Sequence, residues 1–123
     1  VFVIDDPSAT VLASTAGRPS LAVKEHAGRR CVYSLLPLKR EVLLGLCRHA
    51  GVHVYSDTFD AVSVNAGYAM LHTLHPGRKQ IVLPGAAAVR ELVTGRDLGE
   101  VQTVTEEQLP AGVTRIYRMD WKK

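Results

Sequence analysis

The stretch Ala50-Gly51-Val52-His53-Val54-Tyr55-Ser56-Asp57-Thr58 divides the chain into two differently patterned halves. Just before it, Leu38, Val42, Leu43, Leu46, Cys47 and Ala50 recur at helical spacing, so they share one face of an amphipathic helix. Lys39, Arg40, Glu41 and Arg48 take the other side. Pro37 suits the first turn, where a missing N–H costs nothing, and Gly51 suits the C-terminal cap, where a positive φ is needed. Arg48 and His49 complement the negative end of the helix dipole. Beyond Gly51 the apolar period changes to two, the spacing of strands.

Working toward the N-terminus, Arg30 to Leu35 and Leu21 to His26 read as an antiparallel pair joined at Ala27-Gly28-Arg29. Gly17-Arg18-Pro19 makes a turn, Thr10 to Leu12 is a weaker strand, and Val1 to Ile4 an apolar strand stopped by Asp5-Asp6-Pro7. Toward the C-terminus, strands are expected at Val52 to Tyr55, Ala61 to Asn65, Tyr68 to Leu74, Lys79 to Leu83, Val89 to Thr94, Val101 to Thr105 and Val113 to Met119. Asn65-Ala66-Gly67, His75-Pro76-Gly77-Arg78, Pro84-Gly85, Thr94-Gly95-Arg96-Asp97 and Pro110-Ala111-Gly112 separate them. Short strands at this spacing, each with one apolar face, predict a β-sandwich. The expected class is α+β and mostly β. Residues 1–51 form a strand–hairpin–helix remnant of an α/β domain, and 52–123 form an antiparallel β-sandwich.

A chain of 123 residues, 46% hydrophobic and 22% charged, has an ordinary globular composition and is long enough to form a core without metals or disulfides. Its net charge of +3 resides before Gly51, in Arg18, Lys24, Arg29, Arg30, Lys39, Arg40 and Arg48. These are scattered between apolar positions, with few aromatics to stack on bases, so they read as a solvated face and nucleic acid is not expected. No apolar run approaches the roughly 20 residues that span a bilayer, and membrane association is not expected. Cys31 and Cys47 lack CxxC partners; a single Cys31–Cys47 disulfide stays open, but this sparse usage suits a reduced, cytoplasmic setting better. Because the chain starts at Val1 directly into an apolar segment, we expect a piece of a longer polypeptide.

Few residues invite chemistry. Glycoside hydrolysis needs two carboxyl groups about 5 Å or 6.5–9.5 Å apart across the scissile bond. The local pairs are Asp5/Asp6, Asp57/Asp60 and Glu106/Glu107. Neighbours on a strand face opposite ways, and Asp57 and Asp60 read as turn formers around Thr58-Phe59. His49 and His53 straddle Gly51, while His72 and His75 fall in a strand and a turn, so neither pair has zinc-site geometry and no metal is expected. Cys47 lies on the apolar helix face, where a thiol is inert. No glycine-rich phosphate loop or dinucleotide fingerprint occurs, so no cofactor is expected. A sugar-binding platform would draw on Tyr55, Tyr68 or Trp121, with Tyr117 a further aromatic; packing on sheet faces is the plainer role of the tyrosines.

Two sets of segments carry a family resemblance. Val3-Ile4-Asp5-Asp6-Pro7, Leu21-Ala22-Val23-Lys24, Val32-Tyr33-Ser34 and the helix into Ala50-Gly51-Val52-His53-Val54-Tyr55 resemble the end of a glutamine-amidotransferase-like, flavodoxin-type domain. Such a domain serves trimerisation in bacterial β-galactosidases. Ser56-Asp57-Thr58, Tyr68-Ala69-Met70-Leu71-His72, Ile81-Val82-Leu83-Pro84, Glu91-Leu92-Val93-Thr94-Gly95 and Thr114-Arg115-Ile116-Tyr117 resemble the small all-β domain that ends many glycoside hydrolases. The resemblance implies a non-catalytic C-terminal region that supports assembly or the catalytic domain, because the family's catalytic carboxylates sit in a (β/α) barrel that nothing here resembles. Its implied partners are the rest of the parent polypeptide or another copy. The alternative is a carbohydrate-binding module that takes an oligosaccharide through Tyr55, Tyr68 or Trp121.

Overall fold

The computed structural model describes residues 3–121. It is mostly β, with one helix, and every strand pair is antiparallel. The chain divides into two compact units, with the division between Leu43 and Leu44.

The first unit carries a three-stranded meander of β1 (Thr10–Thr15), β2 (Arg18–His26) and β3 (Arg29–Ser34), in that order. Thr15 pairs with Arg18 and His26 with Arg29, leaving two-residue loops at Ala16-Gly17 and Ala27-Gly28. Both residues of each loop have positive φ, which matches the type I′ turn whose twist suits a hairpin. The first turn therefore falls one residue earlier than expected, and Pro19 joins the strand opposite Ser14. Val3 and Ile4 lie outside any strand, and the rest of that expected strand, Val1 and Phe2, lies outside the described residues. No parallel ladder of the kind a flavodoxin-type remnant would bring occurs among the described residues.

The helix α1 (Arg40–His49) ends as its sequence dictates. Gly51 has a φ of 72°, its N–H donates to the Arg48 carbonyl at 3.1 Å, and the Val52 N–H donates to the Cys47 carbonyl at 2.9 Å. This pair of bonds is a Schellman cap. Despite its amphipathic sequence, no residue of α1 is fully buried.

The second unit holds β4 (Ala61–Val64), β5 (Tyr68–His72), β6 (Gly77–Glu91), β7 (Asp97–Leu109) and β8 (Thr114–Trp121), in the sheet order β4-β5-β8-β6-β7. The expected strand at Val52 to Tyr55 is irregular backbone, fastened at its end where the Val82 N–H donates to the Tyr55 carbonyl at 2.7 Å. The larger difference is β6, which runs through Pro84-Gly85 instead of breaking there. The register against β7 slips between Val82 and Ala87, so Pro84 sits in a bulge where no ladder donor is required. Odd-numbered residues stay inward on both sides of the bulge: Ile81, Leu83, Ala87 and Val89 are all buried.

Beyond the bulge β6 pairs with both β7 and β8; before it, with β7 alone. The β6–β7 ribbon thus bends back over the rest of the sheet, and one sheet supplies both layers of a sandwich-like fold. Ile81 and Leu83 from the ribbon join Ala69, Leu71, Ala87, Val89, Val104, Leu109, Tyr117 and Met119 in a single core.

Candidate functional site

The three aromatics that could form a sugar platform do not converge. Tyr55 is half-buried against the core, and its ring meets His53 edge-on at 4.6 Å between centroids. Tyr68 lies on the solvent face of β5 and is 47% exposed. Its backbone is set by Asn65, whose Oδ1 accepts from the N–H groups of Gly67 at 3.0 Å and Tyr68 at 2.8 Å. Trp121 ends β8, and its indole N–H donates to the Ala66 carbonyl. On β8, Trp121 follows the inward alternation of Tyr117 and Met119, whereas Tyr68 pairs with outward-facing Arg118. Tyr68 and Trp121 therefore belong to opposite faces of the sheet.

The carboxylates divide sharply between surface and core. Asp57 is exposed and pairs with Arg48 at 3.0 Å, and Glu107 is exposed and pairs with Arg78 at 3.5 Å. Asp6 bonds Ser8 and Lys24, and these contacts hold its carboxyl at about 2, below the usual aspartate value. Asp60, expected only to shape a turn, is instead the acceptor of a buried cluster. Its carboxylate is fully shielded and meets Lys79 Nζ at 2.8 Å, the Thr58 hydroxyl at 2.6 Å and the Leu74 N–H at 2.8 Å. Burial alone would raise its pKa, but the Lys79, Thr58 and Leu74 bonds prevail and set it at about 2. Phe59, between Thr58 and Asp60, takes a φ of 56°, a conformation that bulky residues avoid.

Glu91 and Glu106 are two acids whose burial the sequence reading does not anticipate, although Glu106 is among its carboxyl pairs. Glu91 accepts from the N–H groups of Val93 and Thr94, each at 2.8 Å, and from the Thr94 hydroxyl. Burial pushes its pKa up, yet these donors and the Arg115 charge leave it below the ordinary glutamate value. Glu106 accepts from the buried Tyr117 hydroxyl at 2.8 Å and from the Arg96 guanidinium. Burial and the adjacent Glu106 charge drive the Tyr117 pKa up. The signal was present in the alternation: Lys79 is in phase with Ile81, Glu91 with Val89, and Glu106 with Val104. A polar residue in phase with a core row must enter the core with a partner.

Each buried carboxylate is engaged by internal donors, whereas a glycosidase acid or nucleophile must face an open cleft. His53 Nε2 lies 2.8 Å from the Val82 carbonyl, which makes it the donor, and His72 Nδ1 lies 2.9 Å from the Thr114 hydroxyl. Cys31 and Cys47 are free. Among the described residues, no group of three or more His, Cys, Asp or Glu side chains could hold a metal ion, and no helix is long and apolar enough to cross a membrane.

Open hollows occur in the first unit. One of about 410 Å³ is lined by Asp6, Ala22, Lys24, Cys31 and Tyr33 among others, and one of about 460 Å³ by Val3, Pro19, Ser20, Leu35, Leu36 and their neighbours. Of the three charged groups that line the first, Asp6 and Lys24 are already paired with each other, and Asp5 is the third.

Neither a scan against protein-family models nor a search of curated proteins finds a match. Among solved structures, the chain is similar to the crystal structure of β-galactosidase from Bacillus circulans sp. alkalophilus. The TM-score is 0.60 at 21% identity, over 91% of this chain and 18% of that one. The likeness extends through both units but spans less than a fifth of the β-galactosidase.

Proposed function

We propose that this chain is a non-catalytic C-terminal region of a glycoside-hydrolase-like protein, supporting its assembly or its catalytic domain. The observation that carries this reading is the match of 91% of the chain to 18% of a β-galactosidase. Two features support it. The buried acids Asp60, Glu91 and Glu106 are committed to internal donors. The first unit keeps Val11, Leu12, Val32 and Tyr33 exposed, as a segment does when its cover comes from elsewhere. On this reading the cover is the rest of the parent polypeptide or another copy, and the setting is cytoplasmic.

The test is to assay the 123-residue chain beside the complete protein on aryl β-galactosides. The expected result is turnover by the complete protein alone; turnover by the isolated chain overturns the proposal.

A second reading, a carbohydrate-binding module, is favoured by one observation: Tyr68 presents an exposed ring on a regular sheet face. Titration of neutral and charged oligosaccharides tests it, and silence across both overturns it.

A further inference from the structure

We infer that residues 52–60 are a built-in guard for an open edge of β6, latched by His53, and that this guard keeps two copies of the chain from pairing through that edge. Neither sugar binding nor turnover enters into it.

In an antiparallel ladder, residues alternate between turning both backbone polar groups toward the partner strand and turning both away. Val82 stands opposite Thr103 on β7, yet its N–H donates to the Tyr55 carbonyl at 2.7 Å and its carbonyl accepts from His53 Nε2 at 2.8 Å. Both groups therefore point away from β7. After the bulge that side of β6 is taken by β8, from Ala87 to Glu91. Before the bulge no strand lies there among the described residues, and Tyr55 and His53 supply the acceptor and donor that a strand would have brought. The acceptor is main chain, but the donor is a ring nitrogen.

Residues 52–60 cover this edge without becoming one. Their start is tied to α1, where the Val52 N–H donates to the Cys47 carbonyl at 2.9 Å, and their end to the buried Asp60–Lys79 pair at 2.8 Å. Between these ties the Ser56 and Thr58 hydroxyls lie 3.1 Å apart and Phe59 takes a φ of 56°. The backbone turns there instead of extending, so it offers no row of unpaired groups of its own. The two ends differ in solvent access: Asp60 and Lys79 are shielded, whereas His53 is exposed. The His53 bond is thus the one for which water competes. The Tyr55 ring, packed against the core and edge-on to the imidazole at 4.6 Å between centroids, holds the latch in place. An unguarded edge here is self-complementary. About a two-fold axis, two Val82 residues can exchange both N–H···O bonds, and the Val82 side chain, 37% exposed, adds an apolar contact. A second copy is therefore the occupant that the guard excludes.

The experiment compares the 123-residue chain with three variants. His53→Ala removes the latch, and His53→Gln keeps an N–H donor at similar reach. His72→Ala is the control, since it removes a different histidine bond, the one to the Thr114 hydroxyl. The readouts are amide hydrogen exchange at Val82 and sedimentation over a range of concentrations. His53→Ala should speed Val82 exchange about ten-fold and add a dimer that the unaltered chain lacks, while His53→Gln and His72→Ala change neither. Combining His53→Ala with Val82→Lys sets like charges opposite each other across the two-fold axis, and the added dimer should vanish. Unchanged Val82 exchange in His53→Ala, or His53→Gln behaving as His53→Ala, overturns the latch. Faster exchange without added association, or association that Val82→Lys leaves intact, overturns the guard. Equal effects of His53→Ala and His72→Ala would mean general loosening and overturn both.

Discussion

The three-stranded meander and the five-stranded sheet are both built from antiparallel strands with apolar residues at regular intervals, yet they bury very different amounts. In the meander only Ser20 and Ala22, both on the central strand β2, are buried, and every residue of β1 is exposed. In the five-stranded unit Leu71, Ile81, Leu83, Val89 and Tyr117 are all at most 1% exposed. The difference lies in closure. The bend at Pro84-Gly85 lets the larger sheet cover its own face, while a three-stranded meander is too narrow to fold over itself. Alternation creates an apolar face, and a second layer is what turns that face into stability.

The contrast can be broken most forcefully at Lys79. Its replacement by Met leaves the Asp60 carboxylate buried without its cation, and the five-stranded unit should lose roughly 3–5 kcal/mol. Urea unfolding followed by the fluorescence of Trp121, the single tryptophan, measures this. A loss under 1 kcal/mol would mean that Asp60 finds water or another donor.

A pair of truncations sharpens the contrast next. Leu83→Ala, at a residue 0% exposed, should cost about 2–5 kcal/mol through lost burial and the cavity left behind. Leu12→Ala, at a residue 50% exposed, should change stability by no more than about 0.5 kcal/mol. Equal costs would show that the meander is covered in solution, by self-association or otherwise, and sedimentation at the same concentrations would tell which.

Acid should act on the same division. The folded Asp60 pKa of about 2 lies below its unfolded value near 3.8. Its contribution is therefore complete above pH 4 and lost as the pH falls from about 4 to 2, an effect of roughly 2 kcal/mol. Stability measured across that window should lose much of its slope in Asp60→Asn. Asp6 shifts to about 2 as well, through Lys24 and Ser8, but its carboxylate is only half-buried whereas that of Asp60 is fully shielded, so its part of the slope should fade in high salt while that of Asp60 persists.

The smallest effect belongs to the C-terminal cap of α1. Gly51→Ala places a side chain at a φ of 72° and should cost about 1 kcal/mol, read as a shift in the urea midpoint at constant slope. A neutral outcome would mean that the cap relaxes to another geometry.

Much of this molecule was legible in local chemistry. The hairpin at Ala27-Gly28, the α1 cap at Gly51 and the strands of the second half follow from short-range rules, because turn φ values and side-chain alternation are fixed within a few residues. Val52 to Tyr55 was misread for the same reason: β-prone residues were present, but no partner strand came beside them, and an unpaired strand has no ladder. Pro84 was misread in the opposite direction, since whether a missing N–H matters depends on whether a neighbour would have accepted it.

The candidate site was less legible. Sequence alone nominated Tyr55, Tyr68 and Trp121 as aromatics, with nothing to say which strands would be adjacent. It also could not bring His53 and Tyr55 beside Val82, which is distant from them in the chain. The sequence by itself determined the mostly β class, the helix and its glycine stop, and the alternation that sends Lys79, Glu91 and Glu106 inward. Only the tertiary structure decided that Asp60 would meet Lys79, that one bent sheet would close on itself, and that the meander would stay open. Those outcomes depend on non-local pairing, where the partner's position, and not the residue's own propensity, sets the free energy.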